Sequence, residues 1–80
     1  MRGNLGFRIK QLRIAKGLTQ SYVAKQLGYK HSSILSEIES GKKGISAEKI
    51  SDVAKVLDVD VNALYFEGDI HKLRTDSHLP

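Results

Sequence analysis

Residues 19–41 read TQSYVAKQLGYKHSSILSEIESG, and this stretch decides the fold. It contains apolar residues at helical spacing, interrupted once by a turn that begins with a glycine. The first half predicts a short helix that begins after Thr19, a typical N-cap residue, and ends at Gly28. The inward face of this helix is formed by Val23, Ala24 and Leu27.

The second half of the stretch predicts another short helix, which ends at Gly41. His31 or Ser32 begins it, and Leu35 and Ile38 face inward. Because only a few residues separate the two helices, they must cross at a sharp angle. That is the geometry of a helix-turn-helix, whose second helix can enter the major groove of DNA. Small helical bundles also contain such tight corners.

Helical spacing continues on both sides of this stretch. A first helix ends at Gly17, Ser46 caps a fourth helix, and Asp60 caps a short fifth one. Sustained strand alternation is absent. The predicted fold is therefore all-α, with a five-helix domain over residues 4–66 and a tail over residues 67–80. The inward apolar residues of these three helices are Leu5, Ile9, Leu12, Ile50, Val53, Ala54, Leu57, Val61, Leu64 and Tyr65.

Positive charge is concentrated in the first half of the chain. The 80 residues carry a net charge of +4. Residues 1–43 contain nine Lys or Arg and two acids, whereas residues 44–80 contain four basic and seven acidic residues. This asymmetry favours a protein with one side facing a polyanion, and a solvated charged surface is the alternative.

The composition argues against several classes of function. The absence of cysteine excludes disulfides, thiolate metal sites and thiol nucleophiles. His31, His71 and His78 lack acidic neighbours at metal-ligand spacing, and no Ser–His–acid triad is indicated. We therefore expect no metal, no cofactor and no enzymatic activity. No apolar run approaches the roughly 18 residues of a membrane span, and residues 1–10 do not resemble a signal peptide, so a cytoplasmic protein without membrane contact is expected.

The chain resembles the XRE family, which includes the Cro and lambda-type phage repressors. The resemblance extends over roughly residues 5–66 and implies a lambda-repressor-like fold that binds double-stranded DNA. One departure is visible, because the connection after Gly28 is a residue longer than in many members, as in a Leu-Gly-Tyr subset of the family. The matching segments are Gly17–Gln20, Val23–Ala24, Leu27–Tyr29, Leu35–Gly41, Ile50, Val53–Ala54, Leu57 and Val61–Leu64.

Phosphate contacts are expected at both ends of the helix-turn-helix. The resemblance implies that Gln20 binds the DNA backbone, and the free N–H groups at a helix start favour an anion. For Gln20, the alternative to a phosphate contact is plain exposure to solvent. For His31, the alternative is a capping role at the start of the third helix. Arg2 and Arg8 are expected to approach DNA from the N-terminal side. The phosphate contacts predicted around the third helix are Lys30, His31, Lys42 and Lys43.

Base contacts are expected from the outer face of the third helix, formed by Ser32, Ser33, Ser36 and Glu37. Serine hydroxyl groups discriminate bases weakly, while a glutamate can accept a hydrogen bond from cytosine N4. For Ser32, a first-turn role without a base contact is the alternative. Since this helix contains no Lys or Arg, affinity for DNA must come from its flanks.

The resemblance also assigns a structural role to an acid in this helix. The family often pairs an acid at the position of Glu39 with an arginine on the first helix, and the matching arginine is Arg13. We therefore expect a partly buried Arg13–Glu39 salt bridge that holds the third helix against the first.

Taken together, these features predict a transcription regulator, a repressor that binds a palindromic operator as a homodimer. The dimer contact would come from residues 59–66 and the tail, with Phe66 as the candidate and closure of the core as its alternative role. The tail over residues 67–80 either supports this dimer or is partly disordered. The alternative function is a protein-interaction or antitoxin-like adaptor on the same fold, with weak DNA binding and a regulatory protein partner.

Overall fold

The computed structural model describes residues 5–65, and in this part of the chain every regular element is an α-helix. The helices are α1 (Leu5–Ala15), α2 (Gln20–Gln26), α3 (Ser32–Ser40), α4 (Ala47–Leu57) and α5 (Asn62–Tyr65). The predicted all-α fold with five helices is thus confirmed. Among these helices, none is long and apolar enough to cross a membrane.

Short polar side chains fix the starts of three helices. Thr19 Oγ1 accepts a hydrogen bond from the N–H of Tyr22 at 3.0 Å, and Ser46 Oγ accepts one from the N–H of Lys49 at 3.2 Å. Asp60 Oδ1 accepts from the backbone N–H two residues later at 2.8 Å. Each bond satisfies an N–H that has no partner within its own helix, which is why these boundaries are readable from the sequence.

Glycine in the left-handed region ends α2 and α3, where the chain must turn sharply. Gly28 has φ +84° and Gly41 has φ +87°, values that a residue without Cβ adopts at no steric cost. The end of α4 differs, because Asp58 occupies the same region with φ 59°. Aspartate is one of the few other residues that tolerate this conformation.

The core lies where α3 packs against α1 and α2, with α4 against α1 and α2 and α5 against α1. Two predicted core residues are wrongly placed: Val61, which precedes α5, is 37% exposed, and Tyr65 is 52% exposed. Because α5 has only four residues and successive helical residues are about 100° apart, Leu64 takes the inward position and Tyr65 turns outward. The buried apolar residues are Ile9, Val23, Ala24, Leu27, Leu35, Ile38, Ile50, Val53, Ala54, Leu57 and Leu64.

Gly6 allows an unusually close contact between α1 and α3. A Cβ atom at this position would lie 1.9 Å from the carbonyl oxygen of Ile38 and 3.1 Å from that of Glu39. No side chain fits in that space, so the two helix backbones approach directly. This contact determines how far the C-terminal half of α3 sits from α1.

Candidate nucleic-acid interface

Helices α2 and α3, with the connection formed by residues 27–31, make up the helix-turn-helix. Val23 and Ala24 of α2 and Leu35 and Ile38 of α3 are all buried. With one face of α3 held in the core, the opposite face is left in solvent. The orientation of that outer face therefore follows from the packing of the apolar residues.

The outer face of α3 is a polar stripe of Ser33, Ser36, Glu37 and Ser40, all exposed. Their spacing of three and four residues places them on one side of the helix. The structure thus brings together three of the four residues predicted to contact bases, while Ser32 is half-buried in the first turn. Ser40 completes the stripe, but its hydroxyl donates to the Glu37 carbonyl at 3.1 Å.

Basic residues lie just before and just after α3. Lys30 and His31 precede the helix, Lys42 and Lys43 follow it, and all four are exposed. His31 occupies the N-cap position, but its side chain makes no capping hydrogen bond. The capping role considered for this histidine is therefore not what the structure shows.

The two lysines that follow α3 project from a fixed backbone. The N–H of Lys42 donates to the Glu37 carbonyl at 2.9 Å, and the N–H of Lys43 donates to the same oxygen at 3.2 Å. These bonds wrap the chain around the end of the helix, after the left-handed Gly41. The backbone of both lysines is therefore fixed relative to the polar stripe.

A buried ion pair joins α1 to α3. Arg13 Nε donates to Glu39 Oε2 at 2.7 Å and Arg13 Nη2 donates to Oε1 at 3.2 Å, a two-bond geometry that favours a strong pair. Arg13 is 9% exposed and Glu39 is 4% exposed. The remaining Nη1 donates to the carbonyl of Leu18 at 2.8 Å. The guanidinium therefore holds both α3 and the chain that leads into α2.

Gln20 belongs to the same network. Its Nε2 donates to Glu39 Oε1 at 3.0 Å, and the residue is half-buried at the start of α2. Plain solvent exposure, the alternative considered for this residue, does not describe its position. An amide nitrogen carries two hydrogens, so the bond to Glu39 uses one of them and orients the other.

Arg8 makes a contact within the domain that the sequence did not indicate. Its Nε donates to the carbonyl of Ala63 at 2.9 Å, so the guanidinium holds α5 against α1. Carbonyl groups at the end of a helix need such donors. Two further predictions concern residues outside the described part of the chain. They are Arg2, expected to approach DNA, and Phe66, the candidate for the dimer contact.

Lys49 of α4 contacts the turn of the helix-turn-helix, which no sequence pattern indicated. Its Nζ donates a hydrogen bond to the carbonyl of Leu27 and lies 5.1 Å from the centre of the Tyr29 ring. Burial raises the pKa of the Tyr29 phenol above its ordinary value of 10.0. The ring is therefore neutral at physiological pH and presents an electron-rich face to the ammonium group.

The interface offers hydroxyl groups, one exposed carboxylate and several ammonium groups. That is the chemistry of hydrogen bonding to base edges and of ion pairing with phosphates. Among residues 5–65, no three His, Asp or Glu side chains are grouped so that they could hold a metal ion.

Comparison with known proteins agrees with this geometry. A family model described as helix-turn-helix matches residues 9–64, well over half of the chain. YazB of Bacillus subtilis (strain 168), described as an uncharacterized HTH-type transcriptional regulator, is 46% identical over 59 residues, which cover 74% of this chain and 84% of YazB. A Rhodospirillum rubrum protein, described as an uncharacterized transcriptional regulator in the ATPase CF(0) region, is 33% identical over 69 residues, covering 86% of this chain and 61% of that protein.

Proposed function

Since this chain belongs to the XRE-type helix-turn-helix family of DNA-binding transcriptional regulators, we propose that it is a sequence-specific repressor that binds a palindromic operator as a homodimer. In this proposal α3 enters the major groove in the way usual for the motif. The protein acts in the cytoplasm by binding and not by catalysis.

The observation that carries the proposal is the polar stripe on α3 with basic residues at both of its ends. Ser33, Ser36 and Glu37 are exposed on a helix whose other face is buried, so their side chains are free to meet base edges. Ser32, half-buried at the start of the helix, would meet the DNA at the edge of this surface. Lys30, His31, Lys42 and Lys43 would contact the phosphates on either side, which supplies affinity but no sequence information.

Gln20 supports the same orientation on the DNA. Its bond to Glu39 leaves the second amide hydrogen to donate to a phosphate oxygen. A side chain already held by the protein loses less conformational entropy when it binds. Gln20 would thus fix the register of α2 on one strand while α3 reads the groove.

The homodimer is proposed from the size of the reading surface and from exposed apolar side chains at α5. One recognition helix reads only a few base pairs, and two related copies read two half-sites about one DNA turn apart. Val61 is 37% exposed and Tyr65 is 52% exposed, so this end of the domain offers apolar surface. We place the dimer contact here, continuing to Phe66 and with support from the tail.

Salt-dependent binding to random duplex DNA tests the phosphate contacts. We expect the protein to bind at low salt. The logarithm of Kd should then rise linearly with the logarithm of the salt concentration, with a slope of about 0.9 for each phosphate contacted. The double variant Lys42→Met/Lys43→Met should lower that slope by about 2. The control Lys10→Met/Lys55→Met removes the same charge from exposed positions on α1 and α4 and should keep the slope.

The adaptor function remains the second candidate, because α3 contains no Lys or Arg and exposes Glu37. A carboxylate near phosphates is repelled, whereas it would suit a basic protein partner. The same titration separates the two functions. If the protein binds neither random DNA nor the DNA upstream of its own gene at low salt, the repressor is rejected and the adaptor is favoured.

A further inference from the structure

The carbonyl of Leu27 lies at the point where the chain leaves α2. The N–H of Gly28 donates to the Lys25 carbonyl at 3.0 Å, and the N–H of Tyr29 donates to that of Ala24 at 2.9 Å. Both N–H groups turn back onto α2, and neither donates to the carbonyl of Leu27. Its hydrogen bond comes from Nζ of Lys49, which belongs to another helix.

The same ammonium group lies beside the next two residues of the turn. It lies 3.7 Å from the position that a Cβ on Gly28 would take, and 5.1 Å from the centre of the Tyr29 ring. A cation over a half-buried aromatic ring adds attraction to the hydrogen bond. Lys49 therefore contacts Leu27 and Tyr29 with a single group, which also lies beside Gly28.

Lys49 is itself fixed to the core of the domain. Its backbone N–H donates to the Ser46 cap at 3.2 Å, and the adjacent Ile50 is 6% exposed. A turn bound to this lysine is thereby tied to the first turn of α4. At its other end α3 is tied to α1 through Glu39 and Arg13.

We propose that Lys49 is a positioning residue for base recognition: it fixes the turn that leads into α3, and together with Glu39 it sets the orientation of α3 in the major groove. The inference rests on the proposed DNA-binding function. When α3 rotates slightly, flexible lysine side chains can adjust and keep their phosphate contacts. Hydrogen bonds to base edges need a fixed geometry and are lost. Loss of the Lys49 ammonium group therefore lowers discrimination between sequences and leaves general affinity for DNA.

The test compares Kd for a site selected from randomised duplexes with Kd for random duplex DNA, at one salt concentration. Lys49→Met keeps the apolar stem and removes the ammonium group, and its specificity ratio should fall about tenfold, the value of roughly one good base contact. Lys49→Arg, which can still donate to Leu27, should retain most of the ratio. The control Lys55→Met removes the same charge from an exposed position of α4. It should leave the specificity ratio unchanged.

Amide hydrogen exchange gives a second readout that does not depend on DNA. In Lys49→Met, and in the milder Lys49→Gln if the first variant folds poorly, exchange at Gly28 and Tyr29 should be faster than in Lys55→Met. Unchanged exchange, or an unchanged specificity ratio, would overturn the proposal, as would an equal loss of affinity for both DNAs. If the native protein binds no DNA at all, the proposed function fails, while the exchange rates still show whether Lys49 holds the turn.

Discussion

At the scale of single residues, Glu39 explains how an acidic residue fits in a helix proposed to face DNA. Its carboxylate accepts two hydrogen bonds from Arg13 and one from Gln20, and it is 4% exposed. The charge is thus neutralised inside the domain and is not presented to phosphates. Glu37, two residues earlier, is exposed and is left as the acid that can discriminate between bases.

Arg13→Ala should destabilise the domain by about 3–5 kcal/mol, because removing one partner of a buried pair leaves the other charge uncompensated. Urea unfolding followed by circular dichroism measures this change. Lys10→Ala, which removes an exposed cation from the same helix, should cost well under 1 kcal/mol. Full stability of Arg13→Ala would show that the pair does not hold α3 against α1.

Glu37→Ala should change which sequences are preferred, because a carboxylate accepts from cytosine N4 and alanine does not. Selection from randomised duplexes measures the preference. Glu48→Ala is the matched control, since it removes an exposed acid from the first turn of α4. Glu48→Ala should keep the sequence preference of the native protein. The same preference in both variants would contradict base recognition by Glu37.

At the scale of elements, the position of α3 depends on one direct contact between backbones. Gly6→Ala would place a methyl group 1.9 Å from the Ile38 carbonyl oxygen, so α1 or α3 must shift. Overpacking of this kind costs about 1–3 kcal/mol. Gly44→Ala is the control, because a Cβ there meets nothing within 4 Å. Thermal unfolding should separate the two variants, and equal melting temperatures would show that the contact is not tight.

Helix boundaries were predictable because their signals are local, as at Thr19, Ser46 and Gly41. The polar stripe was predictable for a similar reason, since Leu35 and Ile38 fix which side of α3 faces the core. The contacts of Lys49 and Arg8 were not, because a lysine 22 residues from its acceptor or an arginine 55 residues away carries no sign of its partner in the sequence. Gly6 was missed because a glycine inside a helix does not indicate which backbone it meets.

At the scale of the whole molecule, the charge distribution agrees with a protein that faces DNA with one side. Residues 1–43 hold nine of the 13 basic residues of the chain. The structure refines this asymmetry, because Arg8 and Arg13 are committed to internal contacts. The cations proposed for DNA are therefore those at the ends of α3, beside the serines and Glu37.

The most direct test of this account is selection of bound sites from randomised duplex DNA by the native protein, followed by measurement of the mass of the complex. We predict enrichment of one palindromic sequence, with half-site centres about one DNA turn apart and two protein chains on each duplex. Enrichment of no sequence, together with no retained duplex at low salt, would contradict the claim that α3 reads DNA.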